Sequence, residues 1–259
     1  RPSLPTTFNK DLANEYGKIC GNYSLWSNLT IFWGCGTNLH RSPYNARNHE
    51  YYSEDAVLTS GQAVAFISGG KEYGVIIAPK HLAFNDTEIN RLGVSVFMTE
   101  QQARENELRG TQASIEDAGA LGVMTAFNRV GITAANAHTG LLKNILRGEW
   151  GFKGLESQDF IMNPNYAVLK EYALNGGTMT TFTGENTMAA VSEKFAYWTT
   201  ENVGQDTELM SAIKQAMTWQ AYALANSNAL DGMASSTRLS ACAPGMTTPS
   251  LPCRSSLPP

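Results

Sequence analysis

Short runs of β-forming residues alternate with longer stretches of helical hydrophobic spacing along most of this chain. The runs that predict strands are Leu29–Trp33, Val75–Ala78, Leu121–Ala126, Gly154–Ser157 and Gly177–Phe182. The stretches that predict helices are Phe8–Cys20, Ser53–Ser68, Glu100–Glu116, Gly140–Gly148, Tyr166–Leu174 and Thr207–Ala225. Alternation of this kind favours βα units and a parallel sheet. The pattern predicts an α/β fold. Its five candidate strands are fewer than the eight of a complete (β/α)8 barrel, so either further strands exist or the chain starts partway round.

The composition changes near the end of the sequence, and this change predicts two regions. Ser, Thr and Pro dominate from about Ser235 onwards. Such a segment has little apolar surface to bury, so we expect a flexible or poorly ordered tail over residues 235–259. Residues 1–234 are expected to form the folded domain.

Charge and cysteine content exclude several kinds of partner and site. The formal net charge is −4 and Lys and Arg do not cluster, which argues against nucleic acid or an anionic membrane as the main partner. No apolar run approaches the roughly 20 residues of a membrane span. The four cysteines, Cys20, Cys35, Cys242 and Cys253, lack the close spacing of a zinc site. We expect unpaired thiols, no metal and no cofactor.

Polar residues follow four of the predicted strands at the point where each strand ends. The clusters are Asn38–Pro43, Lys80–His81, Phe127–Arg129 and Gln158–Phe160. The carboxyl ends of successive barrel strands converge on one mouth, where such barrels place their active sites. A strand-end aspartate such as Asp159 is more often a helix cap or a turn residue, so its position alone does not make it catalytic.

Four motifs, in the same order, resemble those of the family 3 glycoside hydrolases. They are Gly36–Pro43 with Ala46–Asp55, Lys80–Arg91, Val123–Asn128, and Leu146–Gly154 with Gln158–Phe160. The second reads KHLAFNDTEINR and matches the family pattern KHFxxNxxExxR. Because four motifs agree in order, the chain is identified as a member of this family, of the β-glucosidase type. The resemblance implies a (β/α)8 TIM-type barrel, here expected to lack its first strand.

The resemblance also assigns roles to residues at the predicted mouth. Asp159 matches the nucleophile, which attacks the anomeric carbon and forms a covalent glycosyl-enzyme. Arg47, Lys80 and His81 match residues that hold sugar hydroxyls, a task suited to charged donors.

Three apolar residues fall at positions expected to bind the substrate. Met124 matches a wall position, and Phe160 matches an aromatic platform for the C–H face of a sugar. Phe127 replaces the tyrosine of many members.

The surroundings of the mouth carry further expectations. Asp86, Glu88 and Arg91 are expected to form an ion-paired scaffold under the site. Gln158 stands where the family usually has Ser or Thr, and Glu156 places a carboxylate in a normally apolar strand.

The family usually supplies the general acid/base, a glutamate, from a second domain, and no such domain fits in this chain. The resemblance therefore implies a retaining β-glycosidase that removes terminal β-linked glucose or a related sugar, with the acid/base on a missing domain or a partner chain. The alternative is a catalytically idle barrel that serves as a carbohydrate-binding or assembly subunit. A third possibility, a β-N-acetylhexosaminidase, would place a Gly-His-Gly and an Asp-His pair in the loop where Leu82–Asn85 lacks them.

The source and compartment are less constrained by the sequence. Arg1 and Pro2 do not open a secretory leader, which leaves the compartment open. Asn226–Gly232 resembles the end of the barrel in bacterial members, so we expect a bacterial protein of the cytoplasm or periplasm.

Overall fold

The computed structural model describes residues 3–160, 168–181 and 198–231. The predicted tail over residues 235–259 lies outside the described residues, as do the start of the predicted helix at Tyr166 and the end of the predicted strand at Phe182.

Helices and strands alternate through the described residues, as the hydrophobic pattern predicts. The strands are β1 (Ile31–Gly36), β2 (Ile76–Leu82), β3 (Ser95–Val96), β4 (Gly122–Thr125), β5 (Arg129–Val130), β6 (Thr133–Ala134) and β7 (Leu155–Gln158). The α-helices are α1 (Lys10–Trp26), α2 (Ala56–Lys71), α3 (Glu100–Gln102), α4 (Arg109–Glu116), α5 (Leu169–Leu174), α6 (Thr200–Gln205), α7 (Thr207–Ala225) and α8 (Asn228–Asp231). π-Helical segments cover Ala103–Glu107 and Gly140–Glu149.

The main sheet is parallel, with strand order β1-β2-β4-β7. Within it, Lys80 of β2 is in register with Met124 of β4, which is in register with Ser157 of β7. Met179, in the fifth predicted strand, forms a parallel bridge with Ser157. Parallel strands joined by helices confirm the predicted α/β class, and they are the units from which a TIM-type barrel is built.

Alternate side chains of the main sheet pack on opposite sides, as the two-residue period of a strand requires. On one side, Ile77 of β2 packs in a cluster with Phe66 and Ile67 of α2. On the other side, Ile76 packs with Leu155 of β7 and Ala223 of α7. Helix α2 therefore packs on one side of the main sheet, and Ala223 of α7 packs on the other.

Side-chain caps set the helix starts that the sequence placed only approximately. The Asn9 side chain accepts from the Leu12 amide at 3.0 Å, and α1 begins at the next residue, Lys10. The Asp55 side chain caps α2 in the same way, so this helix begins three residues after the predicted Ser53. Each cap satisfies an amide that lacks a partner in the helix.

The helix predicted over Glu100–Glu116 has the expected start and an interruption. Thr99 accepts from the Gln102 amide at 3.2 Å, which is one half of the predicted capping box. The π-helical turns at Ala103–Glu107 then separate α3 from α4. No helix in the described ranges is long and apolar enough to span a membrane.

Candidate active site

The carboxyl ends of β1, β2, β4 and β7 bring the predicted site residues to one edge of the main sheet. Lys80 and His81 lie within β2 rather than after it, because pairing continues through Lys80 and Leu82. Asp159 follows β7 directly. Arg47 lies in the loop after β1, beside a short 3-10 turn, Asn48–Glu50.

Asp159 is buried and faces a histidine. Its side chain is 8% exposed, and its Oδ2 atom lies 3.4 Å from His81 Nε2. Its Oδ1 atom accepts a hydrogen bond from the Phe160 amide at 2.8 Å. The carboxylate is therefore held in one orientation, with its second oxygen directed at the imidazole.

Burial and nearby cations act in opposite directions on Asp159. Burial raises the pKa of its carboxyl above the usual value, and the hydrogen bond from Phe160 opposes that rise. The positive charges of Arg91, Arg47 and Lys80 also favour the ionised form. The site thus keeps water away from a carboxylate that cations help to ionise.

Glu50 joins the two predicted sugar-binding cations. Arg47 donates two hydrogen bonds to Glu50, at 3.0 and 2.8 Å, in a bidentate pair. Lys80 Nζ lies 3.4 Å from Glu50 Oε2. Burial opposes ionisation of Glu50, but the hydrogen bonds from Arg47 and the charge of Lys80 outweigh it and lower the pKa of Glu50 to about 2. Glu50 therefore fixes both cations and cannot hold a proton at neutral pH.

The predicted scaffold is ion-paired, although its members have different partners. Arg91 Nη1 lies 2.7 Å from Glu88 Oε2, and Arg47 Nη1 lies 3.5 Å from Glu88 Oε1. Asp86 pairs instead with Arg41, at 2.7 Å. Glu88 and Arg91 thus support the site, whereas Asp86 belongs to a neighbouring pair.

The three apolar residues that are predicted to bind the substrate differ in exposure. Met124 is buried on β4, in register with Lys80. Phe127 is half-buried, and the Arg91 guanidinium lies 4.3 Å from the centre of its ring. Phe160 is 46% exposed, so its ring is available to a ligand. Their roles in binding a sugar stay predictions.

Residues 2–192 match the family model described as the glycosyl hydrolase family 3 N terminal domain. The chain belongs to glycosyl hydrolase family 3. This confirms the resemblance found in the four motifs.

Relatives of this family 3 chain carry β-glucosidase names. It is 35% identical over 158 residues to probable β-glucosidase J of Emericella nidulans, covering 61% of this chain and 19% of that protein. It is 34% identical over 158 residues to a β-glucosidase of Rhizobium radiobacter, with 61% and 19% covered. The chain thus spans about a fifth of the length of these curated relatives. They include a fungus, so the expected bacterial source stays a prediction.

Solved structures of family 3 enzymes share this fold. β-Glucosidase 3B from Thermotoga neapolitana in complex with glucose superposes with a TM-score of 0.79 at 26% identity, over 89% of this chain and 32% of that one. The β-glucosidase from Kluyveromyces marxianus in complex with glucose gives 0.70 at 27% identity, over 87% and 27%. The TIM-type barrel assignment is therefore confirmed.

Sequence reasoning did not assign a role to three further residues of this family 3 site, of which Tyr51 and Asn85 are buried and Glu50 is partly exposed. These residues, Glu50, Tyr51 and Asn85, lie within the matched motifs. Each forms a hydrogen bond or an ion pair with a residue that is distant in sequence, and Glu50 and Asn85 each contact more than one residue. Tyr51 Oη lies 3.1 Å from His81 Nδ1, and Asn85 Nδ2 donates to Tyr51 Oη at 2.7 Å. The sequence offers one signal for these contacts. Glu50 lies three residues after Arg47, a spacing that suits an ion pair across a single helical turn.

Two departures from the family pattern lie on β7. Gln158 Oε1 accepts from Asn136 Nδ2 at 2.7 Å, so this side chain is tied to the segment after β6 while Asp159 faces His81. Glu156 is fully buried, and because side chains alternate along a strand it lies on the face of β7 opposite to that of Ser157. Among the described residues, no group of three or more His, Cys, Asp or Glu side chains is placed to hold a metal.

Glu156 should make the stability of this family 3 barrel depend on pH. Burial raises the pKa of Glu156 to about 7, despite the opposing effects of Tyr172 and Arg147. Because a raised carboxyl pKa penalises the ionised form, stability should fall as pH rises from about 5 through 7. The shift corresponds to about 3 kcal/mol. Thermal melts of the Glu156→Gln variant should be flatter over this range; a wild-type melting temperature that rises through it would contradict the assignment.

Proposed function

We propose that this chain carries the nucleophile and the first sugar subsite of a retaining β-glucosidase. Asp159 attacks the anomeric carbon of a terminal β-linked glucose, or a related sugar, and forms a covalent glycosyl-enzyme. The observation that supports this most directly is a buried carboxylate beside His81, at the strand edge that also holds Arg47 and Lys80. The β-glucosidase names of the relatives support the substrate class.

The chemistry requires two displacements at the same carbon. In the first, an Asp159 oxygen forms a bond to the anomeric carbon while the bond to the leaving oxygen breaks, and that oxygen takes a proton from a general acid. In the second, the same group, now a base, takes a proton from water, and the water oxygen bonds to the anomeric carbon as the bond to Asp159 breaks, which releases the sugar with its original configuration. Asp159 serves both steps, first as nucleophile and then as leaving group.

The cations suit recognition of neighbouring sugar hydroxyls. Arg47 and Lys80 are held by the same glutamate, Glu50, so their donors are fixed relative to each other before a ligand arrives. Preorganised donors lose less conformational entropy when they bind. Phe160 offers an exposed ring to the apolar face of the sugar.

The general acid/base is proposed to come from a second domain or a partner chain. Two carboxylates near the mouth, Glu50 and Glu88, are committed to ion pairs with Arg47, Lys80 and Arg91. A general acid must hold a proton at working pH, which Glu50 with a pKa of about 2 does not. The much greater length of the relatives leaves room for such a domain.

A mechanism-based label tests the role of Asp159 without requiring an acid. A 2-deoxy-2-fluoro β-glucoside with an activated leaving group should add one glycosyl unit to the chain, detected by intact mass. Peptide mapping should locate it on Asp159. A label on Asp86 or Glu156 would overturn the assignment. If glucose binds but no label forms, the chain acts instead as a carbohydrate-binding or assembly subunit.

A further inference from the structure

A chain of buried hydrogen bonds leads from Glu88 to His81 and fixes which atoms carry protons. Asn85 Nδ2 lies 3.1 Å from Glu88 Oε1 and 2.7 Å from Tyr51 Oη. Tyr51 Oη in turn lies 3.1 Å from His81 Nδ1. Asn85, Tyr51 and His81 are all buried, so bulk water does not compete for these positions.

Glu88 determines the orientation of the Asn85 amide. A carboxylate can only accept hydrogen bonds, so the group of Asn85 that faces it must be the NH₂ and not the carbonyl oxygen. Arg91, 2.7 Å from the other Glu88 oxygen, holds that carboxylate in place. The second N–H of the same NH₂ then points to Tyr51 Oη.

Tyr51 must therefore donate to His81. Its oxygen accepts from Asn85, which leaves its single proton for the remaining partner, His81 Nδ1. Burial raises the pKa of the Tyr51 hydroxyl, so the proton stays on oxygen at neutral pH. His81 Nδ1 is thus an acceptor.

The imidazole of His81 has one proton to place. Burial first, and then the positive charges of Arg47, Lys80 and Arg91, hold the pKa of His81 well below its usual value, so the ring is neutral. Because Nδ1 accepts from Tyr51, the proton is on Nε2. That nitrogen is the one 3.4 Å from Asp159 Oδ2.

We propose that Tyr51 is a positioning residue that fixes His81 as its Nε2–H tautomer, so that the ring presents an N–H and not a lone pair to Asp159. The other tautomer would place a lone pair opposite the carboxylate and repel the charge that attacks the sugar. The consequence for catalysis rests on the proposed function, whereas the tautomer itself does not.

NMR of the histidine ring nitrogens, by long-range proton–nitrogen correlation on the full chain, tests the tautomer directly. The neutral His81 ring should show its protonated nitrogen at Nε2. In Tyr51→Phe the hydroxyl is lost while the ring remains, so only Asp159 still favours Nε2–H, and a measurable fraction of the proton should move to Nδ1. Labelling by the fluoro-glucoside should slow by about tenfold, the scale of one hydrogen bond to a charged or reacting site.

Tyr52→Phe is the matched control, because this neighbouring buried tyrosine packs in the cluster beneath α2. It should leave both the His81 tautomer and the labelling rate unchanged. A wild-type spectrum with the proton on Nδ1 overturns the proposal, even if Tyr51→Phe fails to fold. An unchanged tautomer in folded Tyr51→Phe overturns it as well. If the spectrum shows the proton on Nε2 but the fluoro-glucoside does not label the chain, the proposed function is contradicted and the tautomer proposal stands.

Discussion

Asp159→Asn should abolish covalent labelling by the fluoro-glucoside, with a loss on the order of 10⁴-fold or more, the scale seen when a nucleophile is removed. The substitution preserves shape and can keep the hydrogen bond from the Phe160 amide, but it removes the charge that attacks the anomeric carbon. Burial raises the pKa of Asp159, so the ionised form costs stability in the folded state. The melting temperature of the variant at neutral pH should therefore equal or exceed that of the wild type.

Glu156→Gln provides the matched control for this experiment. It makes the same change of carboxylate to amide three residues earlier, within β7, at a side chain that lies beside Tyr172 and Arg147 instead of His81. This variant should keep labelling while changing the pH dependence of stability. Labelling that persists in Asp159→Asn, or disappears in Glu156→Gln at equal folding, would contradict the assignment of the nucleophile.

The purified chain should hydrolyse unactivated glucosides very poorly. Without an acid the leaving oxygen departs as an alkoxide, and general acid help is typically worth about 10²–10⁴-fold. We expect kcat/KM to fall steeply as the pKa of the leaving group rises, and to recover on addition of a polypeptide that supplies the acid/base. Normal turnover of cellobiose by the chain alone would contradict this.

Two variants keep that measurement interpretable. Asp159→Asn should remove the residual activity on activated substrates, which separates it from a contaminating glucosidase. Asp86→Asn tests an internal acid, because burial raises the pKa of Asp86 to about 6, within the range of a general acid. Its 2.7 Å pair with Arg41 argues against that role, so the variant should behave as the wild type does.

The hydrophobic period and the positions of polar residues at strand ends predicted most of the fold. Where each strand ends could be known only from the strands that pair with it. The sequence placed Lys80 after a strand that ended at Ala78, whereas β2 continues to Leu82 because Lys80 pairs with Gly36 and Met124. Gly36 itself resembles a turn residue when only its neighbours are considered. Pairing between strands that are distant in sequence extends both β1 and β2 beyond their predicted ends, and no short stretch of sequence contains that information.

The motifs predicted which residues would meet at the mouth, and they could not predict how those residues are held. The bond between Tyr51 and His81 spans 30 positions, and Gln158 meets Asn136 across 22. Such contacts depend on register and on side-chain direction, which follow only from the assembled sheet.

The ion pairs at the mouth also set the net charge that a ligand meets there. The charged groups described there are Arg47, Lys80 and Arg91 against Glu50, Glu88 and Asp159. With His81 neutral, three positive charges face three negative ones, so the described part of the site carries no net charge to attract or repel a ligand. A neutral hexose therefore enters without counterion exchange, and its affinity should be nearly independent of ionic strength. Under the proposed function, a uronic acid would add an unmatched negative charge beside Asp159, so we expect it to bind more weakly than glucose.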